Sequence, residues 1–450
     1  MKNKNDIIYF LGIGGIGMSA LARWFHSRGA EVYGYDAHPT PLTKQLEAEG
    51  MSIHYEPDVS VIPTNVDRVV YTPAIPALQA EFVYFREKGI RMMKRAEVLG
   101  EISRDLFTLA VAGTHGKTSI TAMVAWILHV AQKEMVAFIG GIANNFNNNF
   151  VLSDHPQYMV VEADEFDRSF LTLHPDVAVV SSVDADHLDI YNDKQTLQET
   201  FVRFVRLLPP EGQLIHQVHL SLFHEEKIKR LSYGYAPEAQ LRAEDVHLEQ
   251  GRFCFDVFLG NDFLFSLRML VPGIHYVENA LAAIGMALAC NISLPEIKNA
   301  MESFTGVQRR FAYRIRTPER VFIDDYAHHP EELRVTLEAI RQLYPGKVLT
   351  VVFQPHLYSR TRDFAEAFAA VLSMADRLIL LDIYPAREKP IPGVTSGIIL
   401  KKVTAKEKQI MSKDQLLTFL KKEKPELLLT AGAGDIGLMV NEIEKILRKP

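Results

Sequence analysis

The chain has 450 residues, of which 48% are hydrophobic and 23% charged, with a net charge of −6. This length predicts about three domains, and the acidic balance argues against binding to nucleic acid or to a membrane surface. Two cysteines, Cys254 and Cys290, are too few for a disulfide framework and are typical of a reducing compartment. The sequence shows neither the apolar core of a signal peptide nor a run long enough to span a membrane, so we expect a cytoplasmic enzyme.

Alternating strand and helix patterns predict an α/β protein made of three successive units. The first unit has predicted strands at 7–11, 31–35 and 66–71, helices at 17–28, 41–49 and 81–88, and a linker near 101–105. The second has strands at 107–112, 158–161 and 177–181, helices at 119–130 and 277–289, and a less regular region at 214–267. The third has strands at 320–323, 348–353, 377–381 and 427–430 and a helix at 331–343. We therefore place the domains at 1–104, 105–312 and 313–450.

A glycine-rich turn follows the first predicted strand and opens the first predicted helix. Its glycines are Gly12, Gly14, Gly15 and Gly17, and Asp36 closes the next strand. Glycines at this spacing let a diphosphate approach the backbone, and the acidic residue can accept a hydrogen bond from a ribose hydroxyl. The pattern predicts a nucleotide site for a dinucleotide or another diphosphate such as a UDP-linked substrate, although a plain tight turn has the same spacing.

A second glycine-rich loop connects the strand at 107–112 to the helix at 119–130. It consists of Gly113, Thr114, His115, Gly116, Lys117 and Thr118. Backbone N–H groups at such a helix start bind phosphate, the lysine contacts the β- and γ-phosphates, and the threonine hydroxyl binds Mg²⁺. We interpret the loop as an ATP-binding phosphate loop; the alternative is a glycine-rich turn with a surface lysine.

Two acidic segments, 162–167 and 184–189, follow the strands at 158–161 and 177–181. Ligands of open α/β sheets bind at this carboxyl edge, and Mg²⁺ takes one or two carboxylates together with phosphate oxygens. Glu162 and His187 are therefore candidate ligands of Mg²⁺ or Mn²⁺, beside Thr118. The alternatives are solvated acidic loops and a hydrogen-bonded core histidine.

Three further segments end strands of the third unit. Residues 324–330 include His328 and His329 before a helix that begins with a proline, a position suited to phosphate or carboxylate more than to zinc. Residues 354–362 include Arg360 and Arg362, which suit a carboxylate or a phosphate, unless Arg362 pairs with Asp363 or Glu366. The glycine-rich segment 432–437 is either an anion site or a tight turn.

These motifs, together with Arg309, Arg310 and Phe311, occur in the order found in the Mur ligases, which the chain resembles over nearly its whole length. The resemblance implies an N-terminal Rossmann-like domain that binds UDP, a central P-loop ATPase-like domain, and a C-terminal Rossmann-like domain that receives an amino acid. Within the family, residues 12–19 and 353–356 are similar to the branch that uses L-alanine. The implied activity is ATP-dependent ligation of L-alanine to the carboxylate of UDP-N-acetylmuramate, by a monomer or weak homodimer.

The resemblance also implies roles for individual residues. Asn279 is expected at the adenine, Arg310 and Asp325 at the ATP, His328 at the acyl phosphate, and Arg360 at the alanine carboxylate. Thr72 is expected near a second metal. The chain departs from the family pattern at Tyr276, where an asparagine is usual, and at Leu357, where an arginine is common.

Two other classes of protein fit part of the sequence. A nicotinamide oxidoreductase would use the turn at 12–17 but would leave the second nucleotide loop and both acidic segments unused. A binding module that hydrolyses ATP to change conformation would use the loop at 113–118 without ligating anything. ATP turnover in the absence of the other substrates would favour this last class.

Overall fold

The computed structural model describes residues 6–184, 193–223, 227–386 and 388–449. Its N-terminal part carries a five-stranded sheet with the order β3-β2-β1-β4-β5, and all neighbouring strands are parallel. The elements are β1 (Ile7–Leu11), α1 (Ile16–Ser27), β2 (Glu31–Tyr35), α2 (Pro41–Ala48), β3 (Ser52–His54), β4 (Arg68–Tyr71), α3 (Ala80–Glu87), β5 (Arg91–Lys94) and α4 (Arg95–Ser103).

The central part carries a ten-stranded sheet with the order β15-β14-β13-β12-β11-β10-β6-β9-β7-β8. Strands β6, β9, β10 and β11 are parallel neighbours, whereas β7–β8 and β14–β15 are antiparallel pairs. The elements are β6 (Phe107–Ala112), α5 (Lys117–Val130), β7 (Met135–Ala143), β8 (Asn148–Leu152), β9 (Tyr158–Glu162), β10 (Val177–Val180), α6 (Lys194–Val205), β11 (Gln213–Gln217), β12 (Lys229–Gly234), β13 (Leu241–Glu249), β14 (Arg252–Leu259), β15 (Asp262–Arg268), α7 (His275–Ala289) and α8 (Leu294–Ser303).

The C-terminal part carries a six-stranded sheet with the order β16-β17-β21-β18-β19-β20, in which only the β16–β17 pair is antiparallel. The elements are β16 (Ala312–Arg316), β17 (Val321–Asp325), α9 (Pro330–Leu343), β18 (Leu349–Phe353), α10 (Tyr358–Asp363), α11 (Ala365–Leu372), β19 (Arg377–Leu380), α12 (Gly397–Leu400), β20 (Glu407–Ile410), α13 (Lys413–Glu423), β21 (Leu427–Ala431) and α14 (Ile436–Arg448).

The chain divides into two compact units. One consists of Met1–Val246, Cys254–Arg268 and Glu278–Thr305, and the other of His247–Phe253, Met269–Val277 and Gly306–Pro450. In the first unit, helix α1 packs against β7 and β8, where the Trp24 ring meets the Phe138 ring edge-on. The buried Arg23 side chain donates to Asn149 at 2.7 Å and pairs with both carboxylate oxygens of Glu49. The N-terminal and central sheets therefore share one core.

The structure differs from two predictions about local structure. Residues 101–103 are not part of a linker but the last turn of α4, because Val98, Leu99 and Ile102 bury one face of that helix in the core. The region 214–267 is more regular than expected, since it contains the long strands β13, β14 and β15. Alternation between buried and partly buried residues marks β14 clearly.

Candidate active site

The loop between β6 and α5 is the centre of the candidate site. Gly113 has a φ of 134° and Gly116 a φ of 83°. Residues with a Cβ rarely adopt these backbone angles, so the turn requires glycine at both positions. Helix α5 begins directly after it, at Lys117. The first N–H groups of a helix have no partner within the helix, and its dipole favours a negative charge at this end. The loop can therefore bind a phosphate group.

Two serines after β10 fix the shape of this loop. The Thr114 N–H donates to the Ser182 carbonyl at 3.1 Å, and the His115 N–H donates to the Ser182 hydroxyl at 2.9 Å. Ser181 packs so tightly on Gly113 that a Cβ there would collide with its hydroxyl. Sequence analysis missed both serines, because serine at the end of a strand carries no signal of a contact with a distant loop.

Asn279 packs against the same loop. A Cβ on Gly116 would lie 2.6 Å from Asn279 Oδ1, so the side chain at the start of α7 occupies the space that a larger residue would need. The structure thus brings Asn279 to the loop that the sequence assigned to ATP.

Lys117 lies at the bottom of the loop and is paired within the protein. Its ammonium donates to the Gly113 carbonyl at 2.6 Å and lies 2.9 Å from each carboxylate oxygen of Glu165. Burial by itself would lower the pKa of Lys117, but the carboxylates of Glu165 and Asp164 more than offset it, so the pKa is raised. Lys117 is therefore a permanent cation at the candidate phosphate site.

Glu162 and Thr118 are the two described residues predicted to hold a metal. Glu162 ends β9, and its Oε1 accepts a hydrogen bond of 2.8 Å from the Gly140 N–H. Thr118 is buried in the first turn of α5. Oxygen ligands of this kind suit Mg²⁺, which takes only one or two carboxylates and completes its shell with phosphate oxygens and water. His187 lies outside the described residues. The described part of the chain contains no group of three or more His, Cys, Asp or Glu side chains that could hold a metal ion.

Replacing Gly140 by alanine is expected to impair the Mg²⁺ site without unfolding the protein. A Cβ at this position would lie 2.6 Å from the carboxylate carbon of Glu162, so the carboxylate must move. The backbone at Gly140 does not have the positive φ that would itself exclude alanine. Displacing a group that orients a metal ligand typically costs about 10- to 100-fold in metal affinity or activity. We expect the Mg²⁺ concentration that the expected activity requires to rise.

The control for this variant is its affinity for UDP, which the N-terminal loop would bind and Gly140 does not touch. The melting temperature should stay close to that of the wild type. An unchanged Mg²⁺ requirement in Gly140→Ala would show that Glu162 does not bind the metal.

The N-terminal glycine turn, which lies between β1 and α1, is the second candidate phosphate site. Gly12 has a φ of 85°, and the Gly14 N–H donates to Asp36 Oδ2 at 2.7 Å. Asp36 therefore anchors the turn, and its other oxygen, Oδ1, accepts a longer hydrogen bond of 3.4 Å from the His38 N–H. Thr72, the predicted second-metal residue, lies beside Gly12, where its Cγ2 would be 2.6 Å from a Cβ.

Sequence analysis missed Arg95, which covers this turn. Its guanidinium lies directly against Gly17 in the first turn of α1 and would collide with any Cβ there. It also pairs with Asp164 at 3.4 Å, and the neighbouring Lys94 pairs with Asp167 at 2.9 Å. Basic residues at the start of a helix oppose its dipole. This unfavourable placement is the one local signal that could have identified Lys94 and Arg95 as functional candidates.

In the C-terminal unit, Asp325 fixes the loop after β17. Its buried carboxylate accepts hydrogen bonds from the Phe311 N–H at 3.0 Å, the Ala327 N–H at 2.8 Å and the Thr336 hydroxyl at 3.2 Å. Burial raises the pKa of Asp325 to about 6, against the lowering effect of Arg310 and of the backbone N–H groups. A ribose hydroxyl would have to share one of these carboxylate oxygens.

His328 and Arg310 flank the ring of Tyr326. His328 Nδ1 lies 3.0 Å from the Tyr326 carbonyl, which can only accept, so this nitrogen carries a proton. The Arg310 guanidinium lies 5.1 Å from the centre of the Tyr326 ring and 3.8 Å from Glu332. His329 accepts a hydrogen bond from the Glu331 N–H at the start of α9 and so caps that helix.

The two arginines after β18, Arg360 and Arg362, have different environments. Arg362 pairs with Asp363 at 2.7 Å, as one of the alternatives predicted, whereas Arg360 is buried on the short helix α10. Leu357, which replaces the usual arginine, is buried with a φ of 69°. A branched residue rarely adopts this conformation, and such strain is concentrated at functional sites.

Tyr276, the other departure, joins the start of α7 to the Arg310 segment. Its hydroxyl donates to the Arg310 carbonyl at 2.9 Å. The adjacent His275 has a pKa lowered to about 4 by burial and then by Arg310, so this histidine is neutral near pH 7. In the glycine-rich segment 432–437, a Cβ on Gly432 would lie 2.7 Å from the Gln354 carbonyl, which agrees with a tight turn.

Within the described residues, every helix is too short or too polar to cross a bilayer. The fold combines parallel sheets with two glycine-rich loops, each placed between a strand and a helix. Together with the buried lysine and the carboxylates at the edge of the central sheet, this arrangement defines an α/β protein of the nucleotide-phosphate-binding class.

The chain belongs to the Mur ligase family. Residues 7–106 match the model described as the Mur ligase family, catalytic domain, residues 111–287 match the Mur ligase middle domain, and residues 309–434 match the Mur ligase, glutamate ligase domain. The fold is accordingly the three-domain α/β fold of that family.

Relatives and a solved structure agree with this membership. The chain is 44% identical to UDP-N-acetylmuramate--L-alanine ligase of Flavobacterium johnsoniae, with 99% of each chain covered. It is also 44% identical to the ligase of the same name from Parabacteroides distasonis, covering 99% of this chain and 98% of the relative. The crystal structure of UDP-N-acetylmuramate-alanine ligase MurC from Thermotoga maritima is 28% identical, with a TM-score of 0.82 over 98% of this chain and 97% of that one.

Proposed function

We propose that the protein joins L-alanine to the carboxylate of UDP-N-acetylmuramate, converting ATP to ADP and phosphate in the synthesis of peptidoglycan precursors. The observation that carries this proposal is the similarity, over 99% of both chains, to relatives that bear the name of this activity. The phosphate loop with its partly buried Lys117 supports the use of ATP.

The chemistry requires activation, because a carboxylate is a poor electrophile in water. A carboxylate oxygen of the muramoyl group attacks the γ-phosphorus of ATP, and ADP leaves, which gives an acyl phosphate. The alanine amine then attacks the acyl carbon, loses a proton, and expels phosphate from the tetrahedral intermediate. The protein has to position the reactants and neutralise their charge.

We assign the charge stabilisation to the central domain. Lys117 would contact the transferring phosphoryl group, and Gly113, Thr114, His115 and Gly116 would hold the phosphates through backbone N–H groups. Thr118, Glu162 and His187 would hold Mg²⁺, and the metal would supply positive charge at the phosphate oxygens. The glycine turn at 12–17, with Asp36 and Arg95, would bind the uridine diphosphate, and Thr72 would lie near a second metal.

The C-terminal domain would receive the amino acid. Arg360 would bind the alanine carboxylate, and His328 would orient the acyl phosphate. Arg310 and Asp325 would contact the ATP, with Asn279 at the adenine. The domain boundaries near 104 and 312, the cytoplasmic location, and a monomer or weak homodimer also stay predictions.

The experiment that tests this function is phosphate release with ATP and UDP-N-acetylmuramate across a panel of amino acids. We expect release to depend on both substrates and to be fastest with L-alanine. Equal release without any amino acid would contradict ligation and would favour the nucleotide-driven binding module.

A direct prediction concerns the N-terminal turn, which should bind UDP and not NAD. An acidic residue such as Asp36 suits a ribose, the glycines let a diphosphate approach the backbone, and the ligation has no use for a hydride carrier. Calorimetry should give saturable binding of UDP, weakened in Asp36→Ala. Asp58→Ala is the control, because this exposed carboxylate of the same domain accepts from Ser60 and not from the turn. Saturable NAD binding with redox activity would support the oxidoreductase instead.

A further inference from the structure

The Lys117 ammonium already has a full set of acceptors within the protein. An ammonium has three N–H donors and no acceptor, and three oxygens surround it: the Gly113 carbonyl at 2.6 Å and both oxygens of Glu165 at 2.9 Å. Any contact between Lys117 and a phosphate must therefore replace one of these partners. The Gly113 carbonyl belongs to the loop itself, so the replaceable partner is Glu165.

The fold holds the Glu165 carboxylate in this position. Glu165 is buried, with 1% of its side chain exposed. The following residues Asp167 and Arg168 adopt φ values of 53° and 56°, and the Arg168 N–H donates to the Glu165 carbonyl at 2.9 Å. Because non-glycine residues rarely take up this left-handed conformation, two in succession indicate a segment constrained to present its side chains in one way.

We propose that Glu165 is an internal competitor of the γ-phosphate for Lys117. In the absence of ATP, its carboxylate neutralises the buried ammonium and keeps the loop in shape; ATP binding displaces the carboxylate, and it returns once the phosphoryl group has been transferred. Glu165 is thus a positioning residue, which acts through Lys117. This inference rests on the proposed ATP site.

ATP binding therefore has a free-energy cost that ADP binding largely lacks. ADP has no γ-phosphate and can bind with the Lys117–Glu165 pair intact, whereas ATP has to break the pair and brings further negative charge close to a carboxylate. Glu165 therefore lowers the preference of the enzyme for ATP over ADP and assists the change from substrate to product.

The test is the affinity of Glu165→Gln for ATP and ADP, measured by calorimetry with Mg²⁺. Glutamine keeps the shape but removes the charge, so ATP should bind about tenfold more tightly or better, while ADP gains much less. Asp167→Asn is the matched control, since it also removes one carboxylate from a lysine pair of the same segment, that with Lys94. Its ATP and ADP affinities should equal those of the wild type.

An equal or weaker ATP affinity in Glu165→Gln, or an equal gain for ATP and ADP, would overturn the proposal. Should that variant fail to fold, a crystal structure of the wild type with a non-hydrolysable ATP analogue decides the matter. We expect the Glu165 carboxylate more than 4 Å from Lys117 Nζ, the limit for an ion pair, and a pair retained at 2.9 Å would contradict displacement. Failure of the wild type to bind ATP would instead refute the proposed function.

Discussion

Ligation is expected to be lost when Lys117 is replaced by alanine. The buried ammonium is the fixed positive charge of the phosphate loop, and charge stabilisation of a transferring group is worth several kcal/mol. The turnover number should fall by about 10²-fold or more, as measured by phosphate release with all three substrates present. The UDP affinity should not change, because the glycine turn at 12–17 lies in another domain.

The structure dictates the controls for this experiment. Lys117→Ala removes the ammonium that pairs with the buried Glu165 carboxylate, and removing one member of a buried pair costs about 3 to 5 kcal/mol of stability. The double variant Lys117→Ala/Glu165→Gln avoids this cost and should be equally inactive. Lys133→Ala, beyond the opposite end of α5, should retain activity. Wild-type turnover in the double variant would remove Lys117 from the mechanism.

Replacing Arg360 by alanine is expected to raise the KM for alanine steeply and to leave the KM for ATP almost unchanged. A planar guanidinium binds a carboxylate through two hydrogen bonds, and Arg360 is buried on α10. Losing one member of such a buried charged pair costs about 2 to 5 kcal/mol. Steady-state kinetics with each substrate varied in turn measures the effect, which is the loss of binding to one substrate.

Arg362→Ala is the matched control, because that arginine lies two positions along the same helix and is paired with Asp363. Its kinetic constants should be close to those of the wild type. A loss of ATP or UDP-substrate affinity in Arg360→Ala, with the alanine KM preserved, would assign Arg360 to a phosphate and leave the amino acid to another residue.

Features that depend on neighbours along the chain could be predicted from the sequence. A strand, a glycine turn and a helix start are local patterns, so Gly12, Gly113, Gly116 and Lys117 were all assigned correctly to strand-to-helix turns. The order of the motifs identified the family. The same reasoning failed at residues 101–103, where burial of one helix face outweighed a polar composition.

Which side chains meet across the site could be seen only in the folded structure. Lys117 and Glu165 are 48 positions apart, Gly140 and Glu162 are 22 apart, and Arg95, which contacts Gly17 after the first strand, begins a helix that follows all five strands of the N-terminal sheet. Such contacts depend on strand order and on the packing of helices against sheets, and no local pattern encodes them. The physical reason is that a charge or a glycine has the same sequence signature whether solvent or a distant residue is its partner.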